Sequence, residues 1–171
     1  MKKIVRLRFP SVLKLYILTI ALGFLTPAFA IDLTKAALIP KPVSIKAAGG
    51  FFEINGNTAI CIPEGASELM PVAQYLKSVL TPASGFNLEL KSSDNSSSTN
   101  CILLKTGTSN DKLGQEGYEL NISGENILLS ANTAEGVFRG IQTIRQLLPA
   151  AIESPELQNA NWKIPAGTIT D

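Results

Sequence analysis

The sequence predicts an α+β fold: a two-layer domain in which a mostly antiparallel sheet of six or seven strands carries two helices on one face. Two observations lead to this prediction. Six or seven short segments place apolar side chains mostly on one face, as half-buried strands do. Two longer segments instead repeat apolar residues every three or four positions, which is the period of an amphipathic helix.

Residues 1–30 are predicted to be a signal peptide and are excluded from the fold. The segment contains five basic and no acidic residues, and its apolar run at 15–25 is too short to span a bilayer. Ala-Phe-Ala at 28–30 offers the small residues that signal peptidase accepts. The mature chain is therefore expected to begin at Ile31 and to be exported, periplasmic or extracellular, without a membrane partner after cleavage. An uncleaved N-terminal anchor is the alternative.

The first third of the mature chain is predicted to be mainly extended. Residues 31–37 are expected to form a flexible leader, and the two prolines that follow favour extended backbone before them. Strands are predicted at 43–45 and 51–54, separated by a Gly-Gly turn, and a third is predicted at 58–62.

The next segment is predicted to form the first helix, with Ser67 as its N-cap and Thr81-Pro82 as its end. Strands are expected at 86–91 and 101–105, and the polar stretch between them at 92–100 is expected to be a mobile loop. The apolar stripe of the helix comprises Leu69, Val72, Ala73, Leu76, Val79 and Leu80.

A hairpin and a second helix follow. Alternating strands at 118–122 and 127–131, joined by a short connection, predict an antiparallel pair. Asn132, with Glu135 three residues later, resembles a capping box at the start of the helix. The helix is expected to end at Pro149 and to bury Ala134, Val137, Phe138, Ile141, Ile144, Leu147 and Leu148.

Two glycines, Gly136 and Gly140, lie inside the second helix. Each costs about 1 kcal/mol relative to alanine in a helix interior, so a compensating contact is expected. We predict that they form a groove that lets the helix approach the sheet closely. A phosphate site is not favoured, because such glycines precede a helix rather than lie within it.

Composition excludes several kinds of site. The absence of histidine excludes Ser-His-Asp and Cys-His catalysis and any histidine-ligated metal. Cys61 and Cys101 are too few for a zinc site; they form either a disulfide or two buried thiols. Without the signal peptide, 10 basic and 14 acidic residues give a net charge of −4 and leave no basic run. Nucleic acid is therefore not expected as a partner.

None of the acidic residues is assigned a catalytic role, and neither a cofactor nor a metal is predicted. Asp171 is expected at a domain junction. Trp162 is expected to cover the same junction, with stacking on a sugar as the alternative. The remaining acids are expected at solvated strand or turn positions or, for the last, at the helix cap: Glu116, Glu119, Glu125 and Glu135.

Three segments resemble the N-terminal non-catalytic domain of family 20 glycoside hydrolases, the β-N-acetylhexosaminidases. The first is Leu-Ile-Pro-Lys-Pro at 38–42. The second runs from Gly-Tyr at 117–118 to Gln-Leu-Leu at 146–148. The third, Ile-Pro-Ala-Gly-Thr-Ile-Thr-Asp at 164–171, looks like the lead-in to the family's catalytic barrel. Similar domains precede other glycosidase barrels, including those of family 84, but the order and spacing favour family 20.

The resemblance implies a domain organisation and a reaction. Residues 38–160 would form the α+β domain, and 161–171 a junction to a catalytic barrel that this chain lacks. The family removes terminal N-acetylhexosamine with retention, using the sugar's acetamido group as nucleophile and an adjacent Asp-Glu pair in the barrel. The partners would be that barrel and, through it, a glycan. The sequence contains no Asp-Glu step, so no catalytic residue is carried over and this chain alone is expected to be inactive.

Two alternatives remain from the sequence. The same domain could belong to another exported glycosidase, such as a family 84-like β-N-acetylglucosaminidase. A free-standing carbohydrate-binding module would instead need aromatic residues on an exposed strand face. The aromatic residues are mostly expected in the core: Phe51, Phe52, Phe86, Tyr118 and Phe138.

Overall fold

A computed structural model describes residues 32–93, 99–108 and 110–171. The predicted signal peptide and positions 94–98 of the predicted loop lie outside these ranges. The described chain contains helices α1 (Met70–Ser84) and α2 (Ala134–Leu147). Its seven strands are β1 (Ser44–Glu53), β2 (Ala59–Ile62), β3 (Glu89–Ser92), β4 (Cys101–Lys105), β5 (Tyr118–Ile122), β6 (Asn126–Ala131) and β7 (Lys163–Thr170).

The seven described strands form one sheet in the order β1-β7-β5-β6-β4-β2-β3. Strands β1, β7, β5 and β6 pair in antiparallel fashion, which includes the predicted β5–β6 hairpin. Strands β6, β4, β2 and β3 pair in parallel. The α+β class and the hairpin are confirmed, whereas the parallel pairings of the second half were not predicted.

Both helices pack on one face of the sheet and share its main core. Strand residues that alternate along the chain, such as Ile102 and Leu104 of β4, face the helices and are fully buried. The opposite face carries a smaller cluster of Ala59, Cys61, Cys101 and Leu103. In that cluster Cys61 and Cys101 form a disulfide between β2 and β4, with Cα atoms 6.4 Å apart. Of the two alternatives, the structure has the disulfide.

The start of the described chain is ordered, so the predicted flexible leader is wrong there. Leu33–Lys35 forms a 3-10 helix, and the Asp32 carboxylate accepts a hydrogen bond from the Thr34 N–H at 3.0 Å. The Leu33 side chain is fully buried and lies over the backbone of Gly167 in β7. A side chain at position 167 would occupy that space, so the glycine makes room for Leu33.

Strand β1 replaces two predicted strands. The Gly49-Gly50 pair does not turn the chain back. Both glycines have positive φ, 77° and 83°, and lie in an irregular stretch between Ala47 and Phe51. The residues on both sides of that stretch pair with β7. Glycine tolerates the left-handed backbone that such a bulge requires, so one strand continues through it.

Helix α1 begins later and ends later than predicted. Ser67 starts a 3-10 turn rather than capping the helix. The residue before α1 is Leu69, whose side chain makes no capping hydrogen bond. Pro82 lies inside the helix, which ends at Ser84. Gly85 then adopts φ 71°, and its N–H donates to the Thr81 carbonyl at 2.8 Å. This left-handed glycine, rather than the proline, ends the helix.

The segment predicted as a junction is mostly a strand of the sheet. Residues 163–170 form β7, which lies between β1 and β5. Trp162 precedes it and is 5% exposed, packed in the main core. The indole therefore serves the core of this domain, and it is closed to stacking on a sugar.

Candidate functional site

The acidic side chains around the hairpin mostly face solvent. Glu116 and Glu125 are exposed, as predicted, and Glu119 is half-buried. Glu116 forms an ion pair with Arg139 at 2.9 Å, and Glu119 accepts a hydrogen bond from the Asn121 amide at 2.7 Å. Glu116, just before β5, and Glu119, on β5, thus each have a cation or a donor beside them. Such an arrangement suits a solvated surface.

Helix α2 is capped by Thr133 and not by Asn132. The Thr133 hydroxyl accepts a hydrogen bond from the Gly136 N–H at 3.2 Å. Hydrogen bonds from its own backbone N–H and from Thr133 hold the pKa of Glu135 below its usual value. The predicted box fails because the cap lies one residue later. Asn132 instead holds the preceding loop through hydrogen bonds with Thr108, Asn110 and Gly114.

The two glycines of α2 face the sheet, as predicted. A Cβ atom at Gly136 would lie 2.5 Å from the Gly117 carbonyl oxygen and 2.7 Å from the Ala131 Cβ. A Cβ atom at Gly140 would overlap Leu129 and lie 3.0 Å from the Tyr118 ring. The glycines therefore bring the helix axis close to β5 and β6.

Phe138 is the exception to the predicted buried face of α2. Its side chain is 37% exposed and contacts the Tyr75 ring, with centroids 5.1 Å apart. Successive helical residues are about 100° apart, so position 138 is about 200° from both Gly136 and Gly140. Since those glycines face the sheet, Phe138 has to point away from it.

A cleft of about 570 Å³ lies between residues 39–40, the start of β5 and helix α2. The Gln146 side chain holds Ile39, at one end of segment 39–43. Its amide oxygen accepts a hydrogen bond from the Ile39 N–H at 2.9 Å, and its amide nitrogen donates one to the Ile39 carbonyl at 3.1 Å. At the other end, the Asp171 carboxylate accepts from the Val43 N–H at 3.2 Å. Residues 39–43 are therefore fixed at both ends.

The floor of the cleft is a buried hydrogen bond between the hydroxyls of Tyr118 and Thr143, 2.5 Å apart. Burial raises the pKa of Tyr118 above its ordinary value, the hydrogen bond to Thr143 opposes the rise, and the Asp171 carboxylate adds to it. The backbone of Asp171 exchanges hydrogen bonds with Tyr118, at 2.9 and 3.1 Å. These hydrogen bonds join the end of β7 to the start of β5 beside the cleft.

Other kinds of site receive little support. In residues 32–93, 99–108 and 110–171, no three His, Cys, Asp or Glu side chains are grouped so that they could hold a metal ion. Nor is any helix of that part of the chain long and apolar enough to cross a membrane. Among the aromatic residues on described strands, Phe51 is 36% exposed, but the Lys163 ammonium lies 4.1 Å above its ring.

Most of the chain matches one known protein family. Residues 35–171 match the model for glycosyl hydrolase family 20, domain 2. The chain belongs to glycosyl hydrolase family 20. A curated relative, a beta-hexosaminidase of Porphyromonas gingivalis, is 31% identical over 134 residues. The match covers 78% of this chain but 17% of that protein.

Two solved family 20 structures have the same fold as this chain. The GH20 beta-N-acetylhexosaminidase of Streptomyces coelicolor is 35% identical, with a TM-score of 0.72. The N-acetyl-beta-hexosaminidase of Streptomyces plicatus, solved with Thio-NAglucal, is 33% identical, with a TM-score of 0.71. Each match covers 78% of this chain and 26% of the solved chain.

The chain is the domain 2 portion of the family and not its catalytic barrel. Of the two glycosidase families that the sequence left open, family 20 is the correct one. The cleft was not predicted from the sequence, although the segments that line it had been singled out by their resemblance to the family. The three segments that carry the resemblance, 38–42, 117–148 and 164–171, all contribute residues to its walls.

Proposed function

We propose that this chain is the non-catalytic N-terminal domain of an exported β-N-acetylhexosaminidase, which removes terminal N-acetylhexosamine from glycans. The observation that carries the proposal is the match of residues 35–171 to domain 2 of family 20. The beta-hexosaminidase of P. gingivalis supports the activity of the whole enzyme. In this proposal, the chain stabilises and positions a catalytic portion that it does not itself contain.

The chemistry available in the chain agrees with a supporting role. Substrate-assisted hydrolysis needs an acid at the leaving oxygen and a second carboxylate that orients the acetamide. Here Glu116 forms an ion pair with Arg139, and Glu153 forms one with Arg145 that connects α2 to the segment after it. That contact lowers the pKa of Glu153 and raises that of Arg145. Both ion pairs therefore connect α2 to neighbouring segments of the fold.

Export is supported by two independent features. Residues 1–30 have the basic, apolar and small-residue pattern of a signal peptide. The Cys61–Cys101 disulfide suits an oxidising compartment, where such bonds form and persist. Both features support the proposal that the mature protein is periplasmic or extracellular.

The proposal is tested by assaying the mature chain against an aryl N-acetyl-β-glucosaminide. We expect no turnover from residues 31–171 alone and clear turnover once a family 20 catalytic portion is joined to them. Glu116→Gln, made in the mature chain, is the control for a hidden site. Turnover by the unmodified chain that this substitution abolishes would contradict the proposal.

A further inference from the structure

A pocket of about 370 Å³ lies at the opposite end of the sheet from the cleft. The cleft adjoins the start of β5 and the end of β7, whereas this pocket adjoins the end of β1 and the turn that follows β5. Its volume falls within the range of small-molecule sites, roughly 300–1,000 Å³. We call it the end pocket and define it by Phe51, Glu53, Asn55, Asn100 and Glu125.

The end pocket contains one exposed aromatic residue. Phe51 points to the sheet face away from the helices, because the next residue, Phe52, is buried in the main core. The Lys163 ammonium lies 4.1 Å from the centre of the Phe51 ring and 3.8 Å from the Glu53 carboxylate. Phe51 is still 36% exposed with that ammonium in place. The strand therefore has no broad aromatic face, but it supplies the pocket with one ring beside a cation and a carboxylate.

The polar side of the end pocket is held in a fixed arrangement around Asn100. Its amide nitrogen donates to the Asn55 amide oxygen at 3.1 Å, and its amide oxygen accepts from the Thr58 hydroxyl at 2.7 Å. The Asn100 N–H donates to the Glu125 carbonyl at 2.6 Å, and Cys101, the next residue, carries the disulfide to β2. Asn100 has φ 54°, a left-handed backbone that persists where surrounding contacts hold it. These contacts order the pocket before a ligand binds, which lowers the entropic cost of binding.

The two amide side chains retain hydrogen-bonding capacity. A carboxamide nitrogen carries two N–H groups. In the described part of the chain, the Asn100 nitrogen donates one hydrogen bond, to Asn55. The Asn55 nitrogen likewise donates one, to the Glu53 carbonyl at 3.4 Å. Each side chain therefore has a donor left for a ligand, and the exposed Glu125 adds an acceptor at the same pocket.

These groups select one class of ligand. The carboxylates of Glu53 and Glu125 disfavour a phosphate or another anion, because like charges repel. A wholly apolar ligand would leave the amides and carboxylates without partners. Among the described residues, no third acid joins the two glutamates to hold a metal ion. A sugar fits, since its ring offers an apolar C–H face to Phe51 and its hydroxyl and acetamido groups can pair with the polar side chains.

We propose that the end pocket binds one unit of an N-acetylhexosamine oligosaccharide, with Phe51 as the apolar contact and Asn55, Asn100 and Glu125 as hydrogen-bond partners. The choice of sugar rests on the proposed function, because the same polypeptide would then hold the glycan that it cleaves. A glycan bound here is at a raised effective concentration for a catalytic portion joined to the same chain. The pocket itself depends only on residues of this domain.

The test titrates the oxidised mature chain with chitohexaose, a soluble oligosaccharide of N-acetylglucosamine, and measures Kd by calorimetry. Phe51→Ala is compared with Phe138→Ala, because Phe138 is 37% exposed, close to the value for Phe51, but lies on α2. We expect Phe51→Ala to weaken binding about tenfold and Phe138→Ala to leave Kd within about twofold. Phe51→Tyr keeps the ring and should keep the affinity. Circular dichroism verifies that every variant is folded, so a loss that tyrosine restores is due to the missing ring.

Three results would overturn the inference. The folded, unmodified chain would fail to bind chitohexaose at millimolar concentration, or Phe51→Ala and Phe138→Ala would weaken binding equally. Equally tight binding of cellohexaose, which has hydroxyls in place of the acetamido groups, would show that the pocket does not select an aminosugar. The proposed function fails by a different measurement, the absence of turnover when a family 20 catalytic portion is joined to the chain. The titration needs no catalytic portion, so the two failures are distinguishable.

Discussion

The two halves of the sheet are held together by different means. Strands β1, β7, β5 and β6 are antiparallel, and α2 packs closely on β5 and β6 through its glycines. Strands β4, β2 and β3 are parallel and only four or five residues long, and α1 packs on β2. This parallel half is joined covalently by the disulfide on the face away from the helices. The short strands of the parallel half are thus linked covalently. The antiparallel half depends instead on the close packing of α2 against β5 and β6.

The largest expected effect is in the parallel half. We expect Cys61→Ala/Cys101→Ala to lower the free energy of unfolding by about 4 kcal/mol, because the bond constrains a loop of 40 residues in the unfolded chain. Denaturant unfolding of the oxidised mature chain and of the variant measures the difference. The unmodified chain, reduced with a thiol, is the matched control and should resemble the variant. Equal midpoints for the oxidised and reduced chains would show that the bond does not stabilise this half.

The second effect is in the antiparallel half and depends on packing. Gly140→Leu should lower the free energy of unfolding by roughly 1–3 kcal/mol, because the new side chain must displace Leu129 and Tyr118. Gln74→Leu, at an exposed position of α1, introduces the same residue without a clash and should stay within about 0.5 kcal/mol. Thermal unfolding checks both variants. A Gly140→Leu protein as stable as the original would mean that α2 does not need its close approach.

The smallest expected effect concerns the N-terminal caps of the two helices, because α2 has a side-chain cap and α1 has none. Thr133→Ala should cost about 1 kcal/mol, because it removes the hydroxyl that caps α2. Ser67→Ala, in the uncapped turn before α1, should cost less than about 0.5 kcal/mol. The two variants are compared by denaturant unfolding under one set of conditions. Similar costs at both positions would show that α1 also depends on a cap.

Sequence predicted the antiparallel half better than the parallel half for a physical reason. The β5–β6 hairpin and the glycine face of α2 follow from neighbouring residues, whose alternation and spacing can be read directly. The parallel order β6-β4-β2-β3 depends on crossovers between distant segments, which local patterns do not specify. The role of residues 163–170 was missed for the same reason, since their partners in β1 and β5 are far away in the chain.

The candidate site was predictable only in part. The solvent-facing Glu116 and Glu125 and the buried glycines of α2 were expected from their neighbours. The grip of Gln146 on Ile39 joins residues 107 positions apart, and no local pattern indicates such a contact. Phe138 was misplaced because its hydrophobicity suggested burial, whereas its angle from the glycine face turns it toward solvent. The residue types of these positions do not predict which distant segments the fold brings into contact.

The place of β7 in the sheet has a consequence for how the chain is made. Of the described strands, β1 is synthesised first, and its partner β7 is synthesised after the other six. While residues 163–170 are still inside the ribosome, β1 has no strand to bind and β5 lacks its second neighbour. Completion of this domain therefore follows, rather than accompanies, the synthesis of its own residues. A chain that crosses a membrane unfolded would benefit from that delay, because β1 stays unpaired until translation has passed residue 170.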